Sequence, residues 1–154
     1  MNIRERQEKL VEFFNSFDDE MSKYSYLIER GGSLDLIKPE EKDEAHLVDG
    51  CQSSVWLLVD TDSNDRLVIR AESDSFVVQG VLSIIIDLFN GRMSQEITDF
   101  DFNFFDRVGL SSLFSDERKN GIASLIDSIK DQSQAISRGA ERRLDGIQSQ
   151  RKGH

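Results

Sequence analysis

The chain has 154 residues, with 19 lysines and arginines against 29 aspartates and glutamates, one cysteine, one proline, one tryptophan and two histidines. That length suits one domain with a real core, and a hydrophobic share of 38% beside 31% charged residues describes a globular chain rather than a disordered one. A net charge of -10 argues against nucleic-acid binding, and a single cysteine excludes an internal disulfide and a cysteine-rich metal site.

No charged-then-apolar leader is read at Met1–Glu5. The longest apolar stretch, Phe76 to Phe89, is interrupted by Gln79, Gly80, Ser83 and Asp87. It falls short of the ~20 residues a membrane span needs, so a cytoplasmic protein without membrane contact is expected.

Asn2 is placed to cap a first helix, with Glu5 as the other half of a capping box and Ile3, Leu10, Phe14 and Phe17 as its apolar stripe. Asp18 and Asp19 precede a second helix carrying Tyr24, Leu27 and Ile28, which Gly31-Gly32 stops. Residues 33–49 read as loop, and the charge run after Pro39 reads as solvated surface.

From Ser54 to Asp60 the pattern alternates, with Val55, Leu57 and Val59 on one face and Trp56 and Leu58 on the other. Trp56 reads as core packing. A polar turn over 61–65 leads to a second strand with Leu67, Ile69 and Ala71, and a short third strand is expected at Phe76–Gln79. Val81–Phe89 reads as a buried helix ended by Asn90-Gly91. Short helical turns follow at Ser94 and Asn103. A last long helix begins near Ser115 with Ile122, Leu125, Ile126, Ile129 and Ile136 at helical spacing.

The expected fold class is α+β: a small three-stranded antiparallel sheet packed with helices on one side. Residues 1–137 form the expected single domain, with 14 basic and 27 acidic residues. Residues 138–154 carry five basic and two acidic residues and read as a frayed or disordered tail.

The stretch richest in chemistry is His46-Leu-Val-Asp-Gly-Cys-Gln-Ser-Ser-Val-Trp56. Cys51 ends a loop just before a strand. On local sequence alone, a reactive thiol at a loop tip and a small buried hydrophobe fit equally well. Gly50 favours the first, since it permits a tight turn that leaves the sulfur open. A Cys/His hydrolase is disfavoured, because His46 and His154 lack the pattern of a dyad. His46 with Glu41, Asp43 or Glu44 lacks the spacing of a zinc motif, and no glycine-rich phosphate loop occurs.

Gly50-Cys51-Gln52-Ser53-Ser54-Val55-Trp56 closely resembles the GCQSxVW signature of the SufE family, sulfur-accepting partners of cysteine desulfurases. Tyr24-Ser-Tyr-Leu-Ile-Glu29 with Gly31 is similar to the family's upstream segment. Ala71-Glu-Ser-Asp74 with Val77-Val-x-Gly80 is similar to a middle one, and Arg118-x-Asn120-Gly121 resembles the start of its last helix. The segments run in the family's order from about Tyr24 to Ile129.

The resemblance implies a small α+β fold shared with the iron–sulfur scaffold IscU. It also implies that Cys51 takes the outer sulfur from the persulfide of a SufS-like cysteine desulfurase and hands it to a downstream iron–sulfur scaffold. The chain itself would need no cofactor, because pyridoxal phosphate belongs to the desulfurase. A lone cysteine suits such a carrier, since a second thiol would attack the persulfide and expel its sulfur.

A free thiol has a pKa of about 8.5 and an acidic chain tends to raise it, so a local positive group is needed. Arg118, matching the family's arginine, is the candidate; the other reading is a surface arginine in an ion pair. Gln52 and Ser53 are expected to shape the loop. Asp74 is either near it or a plain turn aspartate. His46 is a candidate proton relay, although a solvent-facing loop histidine is the more economical reading. Two rival functions remain at this level: a non-catalytic desulfurase adaptor and a thiol redox sensor.

Overall fold

Asn2 accepts the Glu5 amide at 2.8 Å and Asp19 accepts that of Ser22 at 2.7 Å. Each side chain satisfies a backbone donor that a first helical turn leaves unpaired. They open α1 (Ile3–Asn15) and α2 (Glu20–Gly32). The computed structural model describes the backbone of residues 1–48 and 53–152 and the side chains of residues 1–48 and 53–139.

Residues 33–48 form a strap with two short 3-10 turns, Pro39–Glu41 and Glu44–His46. An antiparallel hairpin of β1 (Val55–Thr61) and β2 (Leu67–Ser73) follows. Asp62 closes its turn by accepting the amides of Asn64 and Arg66. The chain continues through α3 (Phe76–Phe89), α4 (Ser94–Thr98), α5 (Phe104–Arg107) and α6 (Asp116–Lys152). Most side chains of the basic tail lie past the described ones.

The architecture is α+β, and the alternation read from the sequence sets its layers. In the hairpin register Leu57 faces Ala71 and Val59 faces Ile69, and these residues with Val55 and Leu67 are buried against α3 and α6. The strap crosses the opposite face. Ile37 donates its amide to the buried Glu72 carboxylate at 3.2 Å, and Lys42 forms an ion pair with the same residue. The Lys42 ammonium also stands 5.4 Å from the Trp56 ring centroid, so Trp56 is half-buried under the strap rather than in the main core. Arg70 holds Glu41 through two bonds of 2.9 and 2.6 Å. The charge run after Pro39 is therefore not all solvated surface: two of its members fasten the strap.

The sheet has two strands, not the three expected. Phe76–Gln79 is the first turn of α3, because the Ser75 hydroxyl accepts the Val78 amide at 3.3 Å and caps it. The Gln79 side chain turns back to accept the Ser73 amide at 2.8 Å, using the donor another strand would have taken. Two short bridges, Leu47 to Trp56 and Arg66 to Met93, extend the hairpin laterally.

α2 and α3 cross at Gly31 and Gly80. A Cβ on Gly31 would sit 2.5 Å from the Gly80 nitrogen, so the two backbones touch without side chains between them. Beside this crossing Asp87 receives Arg6 at 2.7 Å and Arg30 at 2.8 Å. Burial pushes the Asp87 carboxyl up, but the bonds from Arg6 and Arg30 outweigh it and hold the group below its ordinary value. Phe14, Phe89 and Phe104 fill the space between the helices, with Phe14 meeting Phe104 edge to face at 5.1 Å.

Candidate functional site

The two chain ends bracketing residues 49–52 are both fixed to one end of the hairpin. On the upstream side, Val48 donates its amide to the Val55 carbonyl at 2.9 Å and Leu47 bridges to Trp56. On the downstream side, Ser54 donates its amide to the Asp74 carboxylate at 3.2 Å, and the Ser54 carbonyl accepts the Asp74 amide at 3.3 Å. The Ser73 hydroxyl donates to that carbonyl as well, at 2.9 Å. Gly50, Cys51, Gln52 and His154 lie outside the described residues.

Immediately after the bracketed residues, Ser53 lines a cavity of about 20 Å³, room for one water-sized group. Its walls are apolar: Val55 from β1, Val78 and Val81 from α3, and Ile122 and Leu125 from α6. Glu117 and Arg118 belong to the same lining. Both sit in the first turn of α6, which the Ser115 hydroxyl supports by accepting the Arg118 amide at 3.1 Å. The Arg118 guanidinium then donates to the Ser75 hydroxyl at 3.3 Å, tying α6 to the cap of α3.

Three elements thus converge on Ser53, and the candidates divide accordingly. Arg118 and Ser53 line one cavity. Asp74 stands beside it as the anchor of Ser54, exposed to solvent. His46 is held elsewhere: its Nδ1 pairs with Asp43 Oδ1 at 2.7 Å on the strap, and it does not line the cavity.

Glu117 and Ser75 join the site without having been singled out from sequence. Ser75 carried a signal, a serine just before a long apolar run, which marks a helix cap. Glu117 carried none beyond standing next to Arg118.

Chemically, the guanidinium in the lining favours an anionic over a neutral group, while the apolar walls and the Glu117 carboxylate act against it. Among the described residues no group of three His, Cys, Asp or Glu side chains is gathered to hold a metal ion. No helix among them is long and apolar enough to cross a membrane.

A solution structure of a hypothetical protein from Thermus thermophilus shares this fold, with a TM-score of 0.71 over 85% of this chain and 95% of that one at 15% identity. The SufE family, described as an Fe-S metabolism associated domain, matches residues 8–133, a span that contains the hairpin, the residues bracketed by Val48 and Ser53, and the Arg118 turn. The chain belongs to the SufE family of iron–sulfur metabolism proteins.

Proposed function

We propose that the chain is a sulfur acceptor and carrier, loading Cys51 with persulfide sulfur from a cysteine desulfurase and passing it on to iron–sulfur cluster assembly. The observation that carries this reading is the convergence of Ser53, two positions after Cys51, with Arg118 on one small apolar cavity inside a SufE-family domain.

The transfer is a thiol exchange that balances without an oxidant. The Cys51 thiolate attacks the outer sulfur of the donor's cysteine persulfide. A new sulfur–sulfur bond forms on Cys51, the donor's own sulfur–sulfur bond breaks, and the donor leaves as a thiolate. The Arg118 charge favours the attacking thiolate. The cavity supports a sheltered state for the sulfur, and Gly50 supplies a hinge from which an extended state reaches the donor. The donor enzyme, not this chain, holds the pyridoxal phosphate that releases sulfur from cysteine.

The test is mass spectrometry after incubation with a cysteine desulfurase and cysteine. A gain of one sulfur on Cys51, absent in Cys51→Ser along with stimulation of the desulfurase, is the expected result. A Cys51→Ser chain that still stimulates sulfide release overturns the carrier mechanism and leaves an adaptor.

A further inference from the structure

Phe76 is 82% exposed, although it opens the most apolar helix of the fold. Its own helical face, continued by Gln79, Gly80 and Ser83, is buried where α2 crosses at Gly80, so Phe76 is exposed by its place at the helix's N-terminal end, one turn before that crossing. The first turn of a helix favours acidic side chains, and an exposed phenylalanine there adds nothing to folding.

Its surroundings give it a use. Phe76 follows Ser75, which receives Arg118, and Asp74, which anchors Ser54. Two other exposed apolar residues are tied to the same end of the hairpin. Leu47, 40% exposed, bridges to Trp56. Leu36, 73% exposed, precedes Ile37, whose amide is held by Glu72, the residue paired with Trp56. Single exposed apolar side chains are ordinary on any protein; three around the end that bears the loop of Cys51 form a rim.

We propose that Phe76 is the anchor by which this chain docks on its sulfur donor, with Leu36 and Leu47 as flanking contacts. The inference rests on the carrier reading, because sulfur–sulfur attack requires the donor to cover this end of the molecule. It goes further in naming the surface and the donor's matching chemistry. Phe76 stands out from the surface, so the donor offers an apolar recess. Asp74 and Glu117 lie at the same end of a chain with net charge -10, so basic groups flank that recess. An aromatic anchor seated in a desolvated pocket carries a large share of binding energy in protein interfaces.

The test uses the full chain with Cys51→Ser, so that docking is read apart from transfer, titrated calorimetrically into a cysteine desulfurase. Phe76→Ala weakens binding by about tenfold or more, Phe76→Leu recovers most of it, and added salt weakens both. Circular dichroism of Phe76→Ala matches that of the parent. Equal affinities for Phe76→Ala and the parent overturn the anchor, as does a parent that fails to bind. A parent that sediments as a dimer which Phe76→Ala dissolves also overturns it, assigning the rim to a second copy. Binding that depends on Phe76 while wild-type Cys51 gains no sulfur upholds the surface and removes the carrier reading instead.

Discussion

The Arg118 guanidinium donates to the Ser75 hydroxyl at 3.3 Å, joining the first turn of the last helix to the cap of the helix beneath it. The contact holds a positive charge in the lining of the cavity that Ser53 shares, beside the Glu117 carboxylate.

Replacing Arg118 by alanine therefore changes thiol chemistry more than folding. On the carrier reading, alkylation of Cys51 by iodoacetamide at neutral pH slows roughly three- to tenfold, as expected on removing a cation that favours its thiolate. Arg118→Lys retains the charge and recovers part of the rate. The pH profile of alkylation measures this, and the stability read from thermal unfolding drops by only about 1 kcal/mol, the scale of the lost bond to Ser75. A profile unchanged in Arg118→Ala removes Arg118 from thiolate stabilisation.

The crossing of α2 and α3 admits no side chain at Gly80. A Cβ there would lie 2.6 Å from the Leu27 carbonyl oxygen, a backbone atom that cannot yield without moving the helix. Alanine gains about 1 kcal/mol in helix propensity, but the forced separation of two packed helices costs more. Gly80→Ala is expected to lose about 2 kcal/mol net, read as a lower urea midpoint. Gly32→Ala is the control: nothing lies within 4 Å of its Cβ position, so it is neutral or slightly stabilising.

Acid loosens the strap through a named pair. The bonds from Arg70 and the Lys38 amide draw the Glu41 carboxyl down from 4.5 to about 2. Because the folded value is the lower one, the stabilisation is complete above the unfolded pKa near 4.5 and disappears as pH falls toward 2. Asp87, also held below its ordinary value, adds to the loss in the same direction. Melting temperature recorded from pH ~5 down to ~2 falls less steeply in Glu41→Gln than in wild type, with the two curves converging at the acid end. Parallel curves would show that the Arg70 pair contributes nothing to acid sensitivity.

The hairpin was legible because alternation with a period of two is a strong signal, and the helix starts at Asn2 and Asp19 because capping chemistry is local. The misplaced third strand shows where local reading stops. Phe76, Val77 and Val78 favour strand by composition. The contrary evidence was spacing: Gln79, Ser83 and Asp87 fall four apart and form one polar stripe on α3, where Ser83 and Asp87 receive Arg30 and Gln79 receives the Ser73 amide. The strap was missed for a different reason. Glu41 and Lys42 look solvated until Arg70 and Glu72 are brought to them by the hairpin. At the site, Cys51 and Arg118 stood out through a motif, whereas the link from Arg118 to Ser75 joins residues 43 positions apart and depends on the packing of α6 over α3.

The double anchoring of the loop's ends has a consequence for the partner. Cys51 comes shortly before Ser54, which is bonded to Asp74, with only Gln52 and Ser53 in between. Chain length alone limits the excursion of its Cα from that anchored residue to about 10 Å. On the proposed carrier reading, delivery is thus a short-stroke operation. A donor sulfur buried at the bottom of a deep channel would be beyond reach, and the productive donor is one whose persulfide rises to within a side chain's length of its own surface. On that reading, lengthening the stroke by inserting glycines on both sides of Cys51 would widen the range of donors while weakening the selection among them.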